Sequence, residues 1–165
     1  MISKKICMLG SFAVGKTALV QQYVHSIFSD RYLSTVGVKI SKKDLRLDGQ
    51  DLSLVLWDLE GRDIYAEVNI SYMRGAMGFF VVADGTRRET LDIAIDLRAK
   101  ALEMSGPVPY RLLVNKADLA KEWEISRREL EALKKDGWSI FATSAKTGQA
   151  VEEAFASIAG AMMGA

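Results

Sequence analysis

The chain has 165 residues, enough for one domain with an ordinary core. Hydrophobic residues make up 49% of it, which excludes a disordered segment, and its 22 basic and 21 acidic residues leave a net charge of +1, so nucleic acid finds no electrostatic handle. The single cysteine, Cys7, suggests neither a disulfide framework nor a zinc site, and no apolar run approaches the roughly 18 residues of a membrane span.

Met1-Ile2-Ser3-Lys4-Lys5 leads straight into the apolar run Ile6-Cys7-Met8-Leu9. That leaves no room for a signal peptide, so the cytoplasm is the expected location. The run has the length of a buried strand, and Cys7 within it is expected to be a small core residue. Gly10-Ser11-Phe12-Ala13-Val14-Gly15-Lys16-Thr17 follows and reads G-x-x-x-x-G-K-T. Next, residues 17–24 carry apolar side chains at helical spacing, and His25 closes that helix as a solvated dipole partner. Residues 26–37 show no period and are expected to form a loop.

Val38, Ile40, Leu45 and Leu47 give residues 38–47 the alternation of a strand. Asp48-Gly49 is a hairpin turn signal, and residues 52–57 return as an antiparallel partner strand. Asp58-Leu59-Glu60-Gly61 ends that strand, and residues 63–73 read as weakly helical. Residues 76–83 are apolar without alternation, as in a parallel strand covered on both faces. An amphipathic helix over 89–104 ends at Gly106-Pro107. A strand over 110–114 leads into Asn115-Lys116-Ala117-Asp118. Ser126 and Glu129 form a capping-box pattern for a helix that Asp136-Gly137 stops. The last strand spans 138–142 and the last helix 151–162. The expectation is one α/β domain over 1–165: a six-stranded, mostly parallel sheet with one antiparallel strand and helices on both faces. Its ligand would lie at the carboxyl ends of the strands, where all the motifs fall.

Each motif has a chemical reading. The glycine loop lets the backbone curl close around phosphate oxygens with no Cβ in the way and turns successive N–H groups toward an anion, and the helix after it adds its positive dipole end. Lys16 places a charge near the β and γ phosphates, and the Thr17 hydroxyl is a ligand for Mg²⁺. Asp58 suits Mg²⁺ through water, and Gly61 lets its N–H approach the γ-phosphate. Read alone, D-x-x-G is also a common turn. Asp118 held edge-on accepts two hydrogen bonds from a base offering N1–H and an exocyclic amino group, which guanine does and adenine does not. A backbone N–H of Thr143-Ser144-Ala145-Lys146 is then placed for the guanine O6. Each tetrapeptide alone also reads as a polar loop; in this order, each at a strand end, they point to one nucleotide site.

The set resembles the small GTPases of the Ras superfamily, nearest its Rab-like branch, over essentially the whole chain. Tyr32-Leu33-Ser34-Thr35-Val36-Gly37-Val38, Leu56-Trp57-Asp58 and Tyr72-Met73-Arg74-Gly75-Ala76 support it. The resemblance implies a P-loop G domain that binds GTP and GDP with Mg²⁺ and hydrolyses GTP slowly or with partner help. Its nucleotide contacts would be Gly10, Ala13, Val14, Gly15, Lys16, Thr17, Ala18, Phe28, Asn115, Lys116, Asp118, Ser144, Ala145 and Lys146. Phe28 and Lys116 would cover the two faces of the guanine. Thr17, Thr35 and Asp58 would hold Mg²⁺, and Lys16, Thr35, Gly61 and Arg62 would serve hydrolysis. Protein effectors and regulators would meet residues 30–40 and 60–75, with Tyr65 and Tyr72 as candidate contacts.

Three departures from that family cluster at the γ-phosphate. Arg62 stands where a water-orienting Gln is usual, a substitution also found in Roc-type domains, and a guanidinium has only donors. It either points to solvent and leaves hydrolysis slow, or swings in and neutralises transition-state charge as an arginine finger. Phe12 stands where a small or polar residue is usual, and either crowds the γ-phosphate or packs outward. Glu60 adds negative charge beside that phosphate. A non-cycling, nucleotide-loaded interaction module is the competing function, and an ATP-using kinase or ATPase is disfavoured by Asp118. The sequence ends Met163-Gly164-Ala165 without a cysteine to prenylate, and Met1 is followed by Ile2, so no lipid anchor is expected.

Overall fold

A computed structural model describes residues 1–29, 37–59 and 70–164. The strands are β1 (Ile2–Gly10), β2 (Val38–Leu47), β3 (Gln50–Leu59), β4 (Gly78–Asp84), β5 (Tyr110–Asn115) and β6 (Ile140–Thr143). The helices are α1 (Lys16–His25), α2 (Glu89–Ser105), α3 (Arg127–Lys135) and α4 (Val151–Met163). The six strands form one sheet in the order β2-β3-β1-β4-β5-β6, with β2 antiparallel to β3 and every other neighbour parallel. The expected fold class is therefore the one observed, including the antiparallel strand from the Asp48-Gly49 hairpin.

Alternation along the strands divides the core into two layers. Ile6, Met8, Phe80, Val82 and Leu113 face α1 and α4, where they meet Leu19, Tyr23, Phe155 and Ile158. Cys7, Leu9, Phe79, Val81, Leu112 and Val114 face the other way, toward Leu91, Ala94, Leu97 and Ala101 of α2. All seven residues of β4 are buried, which is why its sequence shows no polar face. Burial pushes the Cys7 thiol up to about 11, so it remains a neutral core group.

Several boundaries differ from those read in the sequence. β1 begins at Ile2 because it pairs with β3 from Ile2 opposite Leu52 onward. β6 begins two residues later than expected. The Trp138 N–H caps the Leu133 carbonyl at 3.0 Å instead of entering the ladder, and the indole fills the core. Of the weak helix expected over 63–73, the described part is a 3-10 turn at Ile70–Met73. A second 3-10 segment, Ala117–Glu122, follows β5 and was not expected.

The α3 capping box is present in full. The Glu129 N–H donates to Ser126 Oγ at 3.1 Å, and the Ser126 N–H donates to Glu129 Oε2 at 2.9 Å. Ser126→Ala removes the first bond and should cost about 1 kcal/mol. In a domain of this size that lowers the thermal midpoint by roughly 2–4 °C, read by calorimetry.

Candidate nucleotide-binding site

The segments after β1, β5 and β6 converge at the carboxyl ends of the strands. They enclose a cavity of about 320 Å³ lined by Ala13, Gly15, Ala18, Phe28, Ser29, Asn115, Lys116, Asp118, Leu119, Ala145 and Lys146. Nine of these are residues the sequence assigned to the nucleotide. Phe28 projects at the rim and is 37% exposed.

Asn115 joins the three segments. Its Nδ2 donates to the Val14 carbonyl at 3.1 Å, while its Oδ1 accepts from Thr143 Oγ1 at 3.2 Å and from the Ala145 N–H at 3.3 Å. The Asp118 carboxylate accepts from Ser144 Oγ at 2.8 Å, which fixes one oxygen and orients the other. Gln22 on α1 donates to the Ala145 carbonyl at 2.7 Å and holds the third segment down. Lys116 adopts a left-handed backbone, φ 75°, and its carbonyl accepts from the Trp123 indole N–H at 2.8 Å. The Trp123 ring packs so closely on Gly85 that a Cβ there would lie 2.1 Å from it.

In the phosphate-loop segment, Lys16 Nζ donates to the carbonyls of Gly10 at 3.0 Å and Ser11 at 3.2 Å. Burial pushes its pKa down to about 8; Asp58 opposes that shift and Arg87 reinforces it. Thr17 Oγ1 donates to Asp58 Oδ2 at 2.5 Å, so a hydroxyl and a buried carboxylate sit side by side beyond the lysine.

Two site expectations change in their physical reason. The loop glycines were read as leaving room for phosphate oxygens, but the places a Cβ would take are filled by protein. At Gly10 they are the Val82 carbonyl at 2.7 Å and Val14 Cγ2 at 2.9 Å; at Gly15 it is Asn115 Nδ2 at 2.2 Å. Val14 is fully buried in the core and does not line the cavity. Glu60, Gly61, Arg62, Tyr65 and Thr35 lie outside the described residues.

The sequence reading missed the end of β4. Asp84 is buried there, and its Oδ2 takes both Lys116 Nζ at 2.8 Å and Arg87 Nε at 3.1 Å. Burial alone would raise its pKa, but the hydrogen bonds from Lys116, Thr86 and Arg87 outweigh burial and hold the carboxyl below its ordinary value. The one available signal was position: an Asp at the carboxyl end of a central parallel strand.

Residues 5–164 match the sequence model of the Ras family. Ras-related protein Rab-32 of Mus musculus is 36% identical over 160 residues, which cover 91% of this chain and 71% of that protein. Ras-related protein RABC2a of Arabidopsis thaliana is 36% identical over 162 residues, 96% of this chain and 77% of that protein. Ras-related protein Rab-8B of Homo sapiens is 32% identical over 157 residues, 94% of this chain and 76% of that protein. With the motifs, the sheet order and the converging loops, these matches fix the family: the chain belongs to the Ras family, among its Rab-like members, and is a GTP-binding molecular switch with GTPase activity.

Proposed function

We propose that residues 1–165 act as a single G domain that binds Mg·GTP and Mg·GDP in the 320 Å³ cavity and hydrolyses GTP slowly unless a partner assists. The observation that carries this reading is Asn115, which ties the phosphate loop at Val14 to both segments that read the base. Asp118 would take the guanine N1–H and amino group, a backbone N–H of residues 143–146 its O6, and Phe28 and Lys116 its two faces. Lys16 would meet the β and γ phosphates.

Mg²⁺ fits the residues present. The Thr17 hydroxyl and Asp58 carboxylate are adjacent oxygen donors, which suit a hard cation. Bound there with Thr35, the ion would neutralise charge on the phosphate oxygens. Among the described residues no helix is long and apolar enough to cross a membrane. The cytoplasm, which supplies both GTP and Mg²⁺, is the proposed location. Effectors and regulators would bind across residues 30–40 and 60–75. The described ends of these segments come together: Ile40, 53% exposed, pairs with Trp57, whose ring lies 6.0 Å from that of Tyr72.

The test starts from purified protein, denatured so that any released base and phosphates can be identified by chromatography. GTP is then loaded with Mg²⁺ and its decay followed. Guanine nucleotides should compete for the site and adenine nucleotides should not. Intrinsic decay should be slower than about 10⁻⁴ s⁻¹, and Arg62→Gln or Phe12→Gly should speed it, because each restores room or an acceptor for the attacking water. A faster rate that neither substitution changes would refute the assignment of slow hydrolysis to those two positions.

A further inference from the structure

Arg87 follows the C-terminal end of β4, and no motif singles it out. Its Nη2 donates to the Phe12 carbonyl at 2.6 Å, across 75 residues of sequence. Its Nε donates to Asp84 Oδ2 at 3.1 Å, the atom that also takes Lys116 Nζ at 2.8 Å. Asp84 Oδ1 accepts from the Thr86 N–H at 2.9 Å and the Thr86 hydroxyl at 2.7 Å. Thr90 closes the turn: its Oγ1 accepts from the Asp84 N–H at 2.8 Å and donates to the Arg87 carbonyl at 2.7 Å. The guanidinium therefore cannot swing away without breaking its ion pair with a buried carboxylate, and its planar fork spans a carboxylate and a carbonyl together.

The contact with Phe12 has a consequence one residue on. The peptide joining Phe12 to Ala13 is trans, so the Ala13 N–H points opposite to the Phe12 carbonyl. Holding that carbonyl toward Arg87 fixes the direction of the Ala13 N–H. Ala13 lines the cavity and has a left-handed backbone, φ 59°, which a residue with a Cβ keeps only where its surroundings impose it. If the peptide flipped, an acceptor would face the phosphates in place of a donor. The Asn115 bond to the Val14 carbonyl acts on the Gly15 N–H in the same way.

We infer that Arg87 is a positioning residue of the phosphate loop: from its anchor on Asp84 it fixes the Ala13 N–H toward the terminal phosphates of a nucleoside di- or triphosphate. Because Asp84 also binds Lys116, the loop that reads the base and the loop that grips the phosphates share one buried carboxylate. The inference rests on the guanine-nucleotide reading above and adds that this chain distinguishes di- and triphosphates from monophosphates partly through β4.

The experiment compares GDP with GMP, which lacks the phosphates that the loop grips. Affinities for both are measured by calorimetry with Mg²⁺ on the wild type, Arg87→Ala and Arg87→Lys, and the bound GDP is observed by ³¹P NMR. Arg87→Ala should weaken GDP by about 10- to 100-fold, the scale of one charge-assisted hydrogen bond, and leave GMP within about threefold. The β-phosphate resonance should move while the α-phosphate resonance stays. Arg87→Lys keeps a cation for Asp84 but not the fork, so it should fold normally and show the same selectivity to a smaller degree. GDP and GMP weakening by the same factor, with the β-phosphate resonance unmoved, overturns the inference, as does wild-type GDP affinity in both variants. A wild type that binds neither nucleotide would overturn the guanine-nucleotide reading itself, a result separate from either of those.

Discussion

Asp118→Asn should weaken GDP and GTP binding by about three orders of magnitude or more while leaving the fold intact. The carboxylate is exposed to the cavity, and one of its oxygens is already fixed by Ser144 Oγ at 2.8 Å. In the proposed complex it meets the guanine edge that carries N1–H and the amino group, so both contacts would need acceptors. An amide supplies one acceptor and one donor, and its NH₂ would face the guanine amino group. A site built to pair buried polar groups rejects a mismatched partner by roughly 10⁴. The same change creates a match for a purine with N1–H beside a carbonyl, so xanthine nucleotides should gain what guanine nucleotides lose. Competition against a fluorescent GDP analogue reads both affinities. A loss below tenfold for GDP, or no gain for xanthosine diphosphate, would remove Asp118 from base recognition. The thermal midpoint of the nucleotide-free protein should stay close to wild type, because Asp118 lies on the surface of the 3-10 segment and supports no core contact.

What could be read from the sequence was local or periodic. β4 announced itself because burial on both faces leaves a run with no alternation, and the β2–β3 hairpin because Asp48 and Gly49 both take positive φ, which few residue pairs tolerate. The residues proposed to read guanine stood out because base recognition needs fixed residue types at fixed spacing. What escaped depends on meetings between distant segments. Nothing near Arg87 indicates that its guanidinium reaches Phe12, and nothing near Trp123 indicates that its ring lies on Gly85 and its N–H on the Lys116 carbonyl. Such contacts have no period and no motif; they exist because the parallel sheet brings the ends of β1, β4 and β5 side by side. The glycine loop was found for a correct pattern with an incomplete reason: the room its glycines leave is used by Val82, Val14 and Asn115.

That difference sets the second large effect, at Gly15. Gly15→Ala should abolish measurable GDP binding, with a loss of at least about 100-fold, because two costs coincide there. The backbone sits at φ 103°, where a side chain adds roughly 1–2 kcal/mol of strain. The added Cβ would also lie 2.2 Å from Asn115 Nδ2, and Asn115 cannot retreat cheaply. It would release the Val14 carbonyl, Thr143 and the Ala145 N–H together, uncoupling the phosphate loop from the segments proposed to read the base. Gly137→Ala separates the two costs. Gly137 has a similar φ of 96° at the end of α3, but no atom lies within 4 Å of the place its Cβ would take. It should lower stability by about the strain alone and leave GDP affinity unchanged. Denaturant unfolding of the nucleotide-free proteins and GDP titrations of both variants make the comparison. If Gly15→Ala lost no more affinity than Gly137→Ala, the Asn115 bridge would not be what assembles the site. If it lost affinity with a stability cost no larger than that of Gly137→Ala, the damage would lie in the geometry of the loop and not in the fold beneath it.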